Sequence, residues 1–352
     1  SRRAEFKGVF VQEMVIDWNV PLYQRPQHLA TALGRLGYLV LYRTSNWVDR
    51  DIDGVYEVCP NVWLTNCPEL DGLRGTVRSV YSTAYAHEPA RLVDCSRGNV
   101  MVYEYIDHID PKISGEEENI RRLLALKDWA FGGGADVIVC SAAELAREAV
   151  EAVGEDHVLL VPNGVDTAHY RDPRHLESPL PEALLRFRAE YPDVVGYFGA
   201  IAPWLWYEAI EALVKSHPQI GFVFIGPDYY GGVQRLPAAP NVLYLGTIDY
   251  RVLPAHARLF DVCIIPFEPG EIARTTSPLK LFEYFALEKP VVVTSDMAEC
   301  VAYPEVFHGN TVAGLSRAID QALAAKDDPG LKRRLRALAD ENDWLHRAQS
   351  LA

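Results

Sequence analysis

Ser277-Pro278-Leu279-Lys280-Leu281-Phe282-Glu283-Tyr284-Phe285-Ala286, followed by Lys289-Pro290-Val291-Val292-Val293-Thr294, joins a helix start to an apolar strand. Ser277 is a good N-cap, and Pro278 suits the first helical position, where its missing N–H would be unpaired in any case. The run Val291–Thr294 has no polar alternation, as expected for a strand covered on both faces. Another apolar run, Val262–Ile265, precedes the loop that leads into the helix. Strand, loop, helix and strand in this order form the repeating unit of a doubly wound α/β sheet.

Outward from this stretch the same alternation continues. Strands are predicted at 8–12, 38–43, 62–65, 100–105, 137–140 and 158–161 in the first half, and at 194–198, 222–225, 242–245, 262–265 and 291–294 in the second. Amphipathic stretches at 27–36, 120–131, 142–153, 207–216 and 254–260 fall between them. The pattern breaks at 171–191, which holds Pro173, Pro179 and Pro181 and reads as a connection with a short helix at 182–190. Three parts are therefore expected: a Rossmann-like domain over 1–170, a second over 171–335, and a C-terminal helix over 336–352 packing back on the first. Two such domains would face a shared central crevice, and ligands in open α/β sheets bind outside the carboxyl ends of strands.

At 352 residues the chain suits two domains. Its 49% hydrophobic and 23% charged residues are those of a globular protein. No run approaches the roughly 20 apolar residues that span a bilayer, and residues 1–12 lack a signal-peptide cleavage site. A cytoplasmic location is expected, with the inner face of the membrane and peripheral association as further options. A net charge of −14 argues against nucleic acid as a partner. The six cysteines are scattered without metal-site spacing; Cys140 and Cys263 read as buried thiols, and no metal site is expected.

The start of the 277–286 helix offers free amides and partial positive charge, which makes it an anion site. Arg274 and Lys280 flank it and are placed to neutralise a diphosphate. Glu283, a turn and a half inside, is placed to accept two hydrogen bonds from a ribose diol. The plainer alternative makes Lys280 and Glu283 an i,i+3 surface pair and the cap an ordinary one.

The string SPLKLFEYFALEKPVVV closely resembles the nucleotide-binding motif of GT-B glycosyltransferases, especially family 4 members that build bacterial surface polysaccharides. The resemblance extends to Val161-Pro162-Asn163-Gly164-Val165-Asp166, Gly196-Tyr197-Phe198-Gly199-Ala200-Ile201, Ile225-Gly226-Pro227, Leu245-Gly246 and the strand over 261–267. At the N-terminal end, residues 18–30 are similar to teichuronic-acid-type members. The resemblance implies a GT-B architecture of two Rossmann-like domains with a central cleft. It also implies that a glutamate matching Glu283 holds the ribose, while the backbone of Thr275, Thr276, Ser277, Pro278 and Leu279 meets donor phosphates and sugar. Gly199, Trp204 and Gly246 fall on donor-side loops. Two departures stand out: Thr275 occupies the place of a first glutamate eight residues before Glu283. Where many relatives carry a basic pair, residues 200–207 read AIAPWLWY.

In the first half, Asp107 and His108 follow the strand at 100–105 and are candidates to orient an acceptor hydroxyl or take its proton. The alternative is an Asx-type turn leading into Pro111. Arg25 could reach a phosphate, and Trp18 and Tyr23 could stack on a sugar ring or simply close the domain interface. Gly132-Gly133-Gly134 precedes a strand, so it reads as a helix end and not as a phosphate loop.

The expected activity is transfer of a sugar from a nucleotide-diphosphate-sugar donor to a glycan or lipid-linked acceptor in surface-polysaccharide synthesis. The resemblance implies a retaining, metal-independent reaction with the nucleotide sugar as substrate and no cofactor. Two other classes fit the same fold: a sugar-nucleotide epimerase, and a non-catalytic binding or scaffold subunit.

Overall fold

The structure is a computed structural model and describes residues 5–44, 48–49, 52–84, 87 and 89–352; residues 1–4 of the segment read for a signal peptide lie outside it. The chain divides into two compact units. The first comprises Ser1–Asn163, Thr275–Ser277 and Trp344–Ala352; the second comprises Gly164–Arg274 and Pro278–Asp343.

The first unit holds β1 (Val9–Gln12), β2 (Leu39–Arg43), β3 (Val55–Cys59), β4 (Val62–Thr65), β5 (Val77–Tyr81), β6 (Val100–Tyr105), β7 (Val137–Cys140) and β8 (Val158–Leu160). They form one sheet in the order β3-β4-β2-β1-β5-β6-β7-β8. All neighbours run parallel except β3 and β4, an antiparallel edge pair. Strand order reverses at β1, which lies between β2 and β5, so the loops leaving β1 and β5 flank the switch point. Helix Arg25–Arg35 is buried on nearly every side, with Pro26, Leu29, Ala30, Ala32 and Leu33 among its apolar contacts and Arg25, Gln27 and His28 buried with them. A second core gathers Val80, Met101, Tyr103, Tyr105, Leu126, Ile138, Cys140 and Leu145. Each fully buried leucine or isoleucine of this kind contributes roughly 1.5–3 kcal/mol. Helix Trp344–Leu351 packs against helix Arg25–Arg35.

The second unit holds β9 (Asp193–Phe198), β10 (Ile220–Ile225), β11 (Val242–Tyr244), β12 (Val262–Ile265), β13 (Val291–Thr294) and β14 (Phe307–Gly309). Their order is β11-β10-β9-β12-β13-β14, with every neighbouring pair parallel. The switch point lies between β9 and β12. Strands β10, β12 and β13 are buried along their whole length, which is why they read as unbroken apolar runs.

Three strands, β3, β5 and β14, were not among those predicted. The C-terminal helix expected over 336–352 is not one piece: a helix over Pro329–Glu341 ends inside that range and a separate one, Trp344–Leu351, follows after Asn342-Asp343. The glycine triplet does end a helix: Glu117–Trp129 runs into a wide turn at Ala130–Gly134, where Gly133 has φ +94°. All six cysteines are free, and Cys140 and Cys263 are buried.

Candidate functional site

In the second unit the chain leaves β9 at Gly199 and β10 at Gly226, both with positive φ (+130° and +145°). A Cβ on Gly226 would lie 1.9 Å from the Gly199 carbonyl oxygen, so the two strand exits touch backbone to backbone. The Gly226 amide donates to the Gly246 carbonyl (2.8 Å), and the Tyr244 hydroxyl donates to the Gly226 carbonyl (2.8 Å). Three consecutive strand exits are thereby locked together at the carboxyl edge of the sheet. Gly246 itself has φ +73° and is half-buried.

The helix after β12 starts one residue later than predicted. Pro278 is the N-cap (φ −78°, ψ 125°), and the helix runs Leu279–Ala286 with no side-chain cap. Ser277 is engaged elsewhere: its hydroxyl oxygen accepts from the Asn163 amide (3.3 Å), and its carbonyl accepts from Asn163 Nδ2 (2.5 Å). Pro278 is buried, Leu279 half-buried, Thr275 buried and Thr276 half-buried.

Lys280, half-buried, carries its ammonium 5.5 Å from the Tyr197 ring centre and 5.4 Å from that of Phe267. Its stem fills the space a side chain at Gly199 would need. One turn further along the helix, Glu283 is 6% exposed. Burial pushes its carboxyl up to about 7, against the opposing pull of the Tyr170 hydroxyl and Lys280. Arg274 is about half exposed and forms ion pairs with Glu271 (2.8 Å) and Asp296 (3.3 Å). Its charge is therefore already balanced, whereas Lys280 stands over aromatic faces. Trp204, half-buried, meets Tyr229 and Phe267 at 6.4 Å each.

In the first unit, Asp107 and His108 leave β6 and are both half-buried. The residue before them is pinned: the Ile106 amide donates to Ser82 Oγ (3.1 Å), and the Ser141 hydroxyl donates to the Ile106 carbonyl (2.7 Å). Asp110 forms the turn-type cap considered for this loop, accepting from the Lys112 amide (2.8 Å).

Arg25 lies inside the unit at 1% exposure. Its Nε donates to Glu104 (3.0 Å), its Nη1 donates to Asn163 Oδ1 (3.1 Å), and its guanidinium lies 5.9 Å from the Trp344 ring centre. Trp18 is 9% exposed, edge-on to Tyr23 and Tyr42, with its amide donated to Asp49 (2.7 Å). Tyr23 sits edge-on to His28, which stacks on Trp344. These aromatics pack on one another within the first unit. Arg25 is likewise spent on an internal carboxylate.

Sequence reasoning passed over three residues. Asn163 was read only as part of the 161–166 stretch and given no role, yet it ties Arg25 to Ser277. Glu104 sits in the apolar strand VMVYEY, and a buried acid there demands a cation, a signal that was legible. Tyr170 had no signal, since the sequence does not show that it meets Glu283. Among the described residues one trio, Glu13, Asp71 and Cys95, has metal-like proximity. Arg78, Arg43 and Arg91 pair with its two carboxylates, which makes the place cationic.

Comparison with known proteins bears on this geometry. Residues 192–329 match the family model described as Glycosyl transferases group 1. Over 258 residues the chain is 30% identical to the Bacillus subtilis (strain 168) protein named "Putative teichuronic acid biosynthesis glycosyltransferase TuaH"; the match covers 69% of this chain, and the chain spans 64% of that relative's length. The fold is shared with an E. coli structure described as trehalose-6-phosphate bound with UDP-2-fluoro glucose (TM-score 0.69, 14% identity, 98% of each chain). It is shared too with Anabaena HepE in complex with UDP and glucose (TM-score 0.62, 15% identity, 98% of each chain). Residues 192–329 thus make up a group 1 glycosyl transferase domain, in a chain with the GT-B fold.

Proposed function

We propose that the protein is a glycosyltransferase that takes a sugar from a nucleoside-diphosphate-sugar donor and passes it to a glycan or lipid-linked acceptor of a bacterial surface polysaccharide. The observation that carries this reading is the placement of Lys280 and Glu283 on one helix beside Gly199, at the switch point of the second unit's sheet. A cation and an acid one turn apart suit the two ends of a ribose diphosphate: the ammonium answers the phosphates and the carboxylate accepts from the ribose hydroxyls. The solved relatives named above hold UDP or a UDP sugar, which supports a nucleotide donor.

Lys280 and the amides at the Leu279 helix start would stabilise charge on the departing diphosphate, the role for which preorganised donors are most effective. The reaction is proposed as retaining and metal-independent, with Asp107 and His108 meeting the acceptor. The test is direct: a thermal-shift screen across nucleoside diphosphates, followed by donor hydrolysis with and without acceptor. Failure of every nucleotide to raise the melting temperature would sink the proposal. Incubation of donor alone, with the sugar recovered epimerised, would replace transfer by epimerisation.

A further inference from the structure

Asn163, 6% exposed, has all four of its polar groups engaged. Its main-chain amide donates to Ser277 Oγ (3.3 Å), and its main-chain carbonyl accepts from Arg347 Nε (3.2 Å). Its side-chain oxygen accepts from Arg25 Nη1 (3.1 Å), and its side-chain nitrogen donates to the Ser277 carbonyl (2.5 Å). An arginine can only donate and a carbonyl can only accept, so the side chain between them must do both. An amide does; a carboxylate has no donor, and an aliphatic chain of the same shape has neither.

These partners mark the places where the chain leaves and re-enters the first unit. Asn163 is its last residue before the chain passes into the second unit. Ser277 ends the short return Thr275–Ser277, and Arg347 lies in the final return that begins at Trp344. Arg25 is held in turn by Glu104 (3.0 Å). One side chain therefore attaches Ser277 to the buried ion pair of the first unit.

Ser277 precedes the N-cap of the helix Leu279–Ala286 by one residue and Lys280 by three. Its hydroxyl and carbonyl are both drawn to Asn163, and no side chain caps that helix. A helix start without a side-chain cap keeps its polarity for an outside anion. Asn163 thus pins the backbone from which the helix departs and holds the nearest hydroxyl away from its amides.

We propose that Asn163 is a positioning residue for donor binding: through Ser277 it sets the start of the helix Leu279–Ala286, and with it Lys280, and so governs nucleotide affinity without touching the nucleotide. This rests on the reading that the second unit binds a nucleoside diphosphate at Lys280.

The test is a double-variant cycle on the full chain, read by calorimetric titration with whichever of UDP, GDP, ADP and CDP binds the parent most tightly. Asn163→Asp keeps an acceptor for Arg25 and loses the donor to Ser277. It is expected to weaken nucleotide binding roughly three- to tenfold, the span of one net hydrogen bond. In the Lys280→Ala background the same substitution is expected to cost less than about twofold, because the group it positions is gone. A loss carried undiminished into that background overturns the assignment, since the added charge or a loosened fold would act without Lys280. Unchanged affinity in Asn163→Asp alone is equally fatal. If that variant folds poorly, Ser277→Ala takes its place, because it removes only the hydroxyl that accepts the Asn163 amide and leaves Arg25 with its partners. It must weaken the nucleotide by about threefold and lose that effect with Lys280. Absence of binding by all four diphosphates to the parent protein would instead remove the functional reading beneath it.

Discussion

Lys280 occupies the space that a side chain on Gly199 would need: a Cβ there would stand 2.6 Å from Lys280 Cε and 3.2 Å from its ammonium nitrogen. The strand exit and the helix start are fitted to one another, and Gly199 also holds φ +130°, a conformation that side chains resist. Gly199→Ala is expected to push the ammonium out of place, lower nucleotide affinity about tenfold, and cost on the order of 1–3 kcal/mol of stability through the strained backbone. Titration calorimetry and chemical denaturation measure the two effects; unchanged affinity would mean that Lys280 does not grip the ligand.

Lys280 and Arg274 should separate cleanly. Lys280→Ala removes a cation held over aromatic rings, and nucleoside diphosphate affinity should fall tenfold or more. Arg274 already answers Glu271 and Asp296, so Arg274→Ala should change affinity less than threefold. A reversed order would transfer the phosphate-binding role to Arg274.

The raised carboxyl of Glu283 sets a pH signature for stability. Its ordinary value is 4.5 and its folded value about 7, so the folded protein binds the extra proton between these limits. Stability from this group is fully present below about 4.5 and is lost as pH rises through 7, on the order of 3 kcal/mol in all. Glu283→Gln should therefore melt higher than the parent at pH 8 and match it near pH 4, while binding nucleotide more weakly. Calorimetric melting at the two pH values checks this; an equal gain at both would mean that protonation is not its cause.

The Arg25–Glu104 pair is expected to matter for folding before it matters for binding. Both side chains are 2% exposed. Removal of one partner leaves a buried charge uncompensated, so Arg25→Met or Glu104→Met alone should cost about 3–5 kcal/mol. The double variant should cost less than the sum of the two. Denaturation of the four proteins completes the cycle, and additive losses would show that the pair is not coupled.

Much of the fold was legible because most strands are covered on both faces and read as plain apolar runs. Strand β5 escaped for the opposite reason. Its sequence Val77-Arg78-Ser79-Val80-Tyr81 carries an arginine at 0% exposure, tolerated only because Glu13 pairs with it at 2.5 Å. That partner is 65 residues away in sequence, so no local pattern betrays it. Strand β3 is an exposed edge and β14 has three residues, each below what periodicity resolves. The site was legible in parts: Lys280 and Glu283 declare themselves by spacing on a helix. Ser277 looked like a cap because cap chemistry is local, and its capture by Asn163 is not. Tyr170 reaches Glu283 only through tertiary packing.

The helix Trp344–Leu351 completes the unit that begins with β1, resting on the Arg25–Arg35 helix with Trp344 stacked on His28. Between Asn163 and Trp344 about 180 residues of the other unit intervene. At the pace of translation, roughly 5–20 residues per second, the first unit waits about 10–40 s with that apolar face uncovered. The part of the chain made first is therefore the part finished last. During that interval the bare flank of the Arg25–Arg35 helix is what a chaperone would meet.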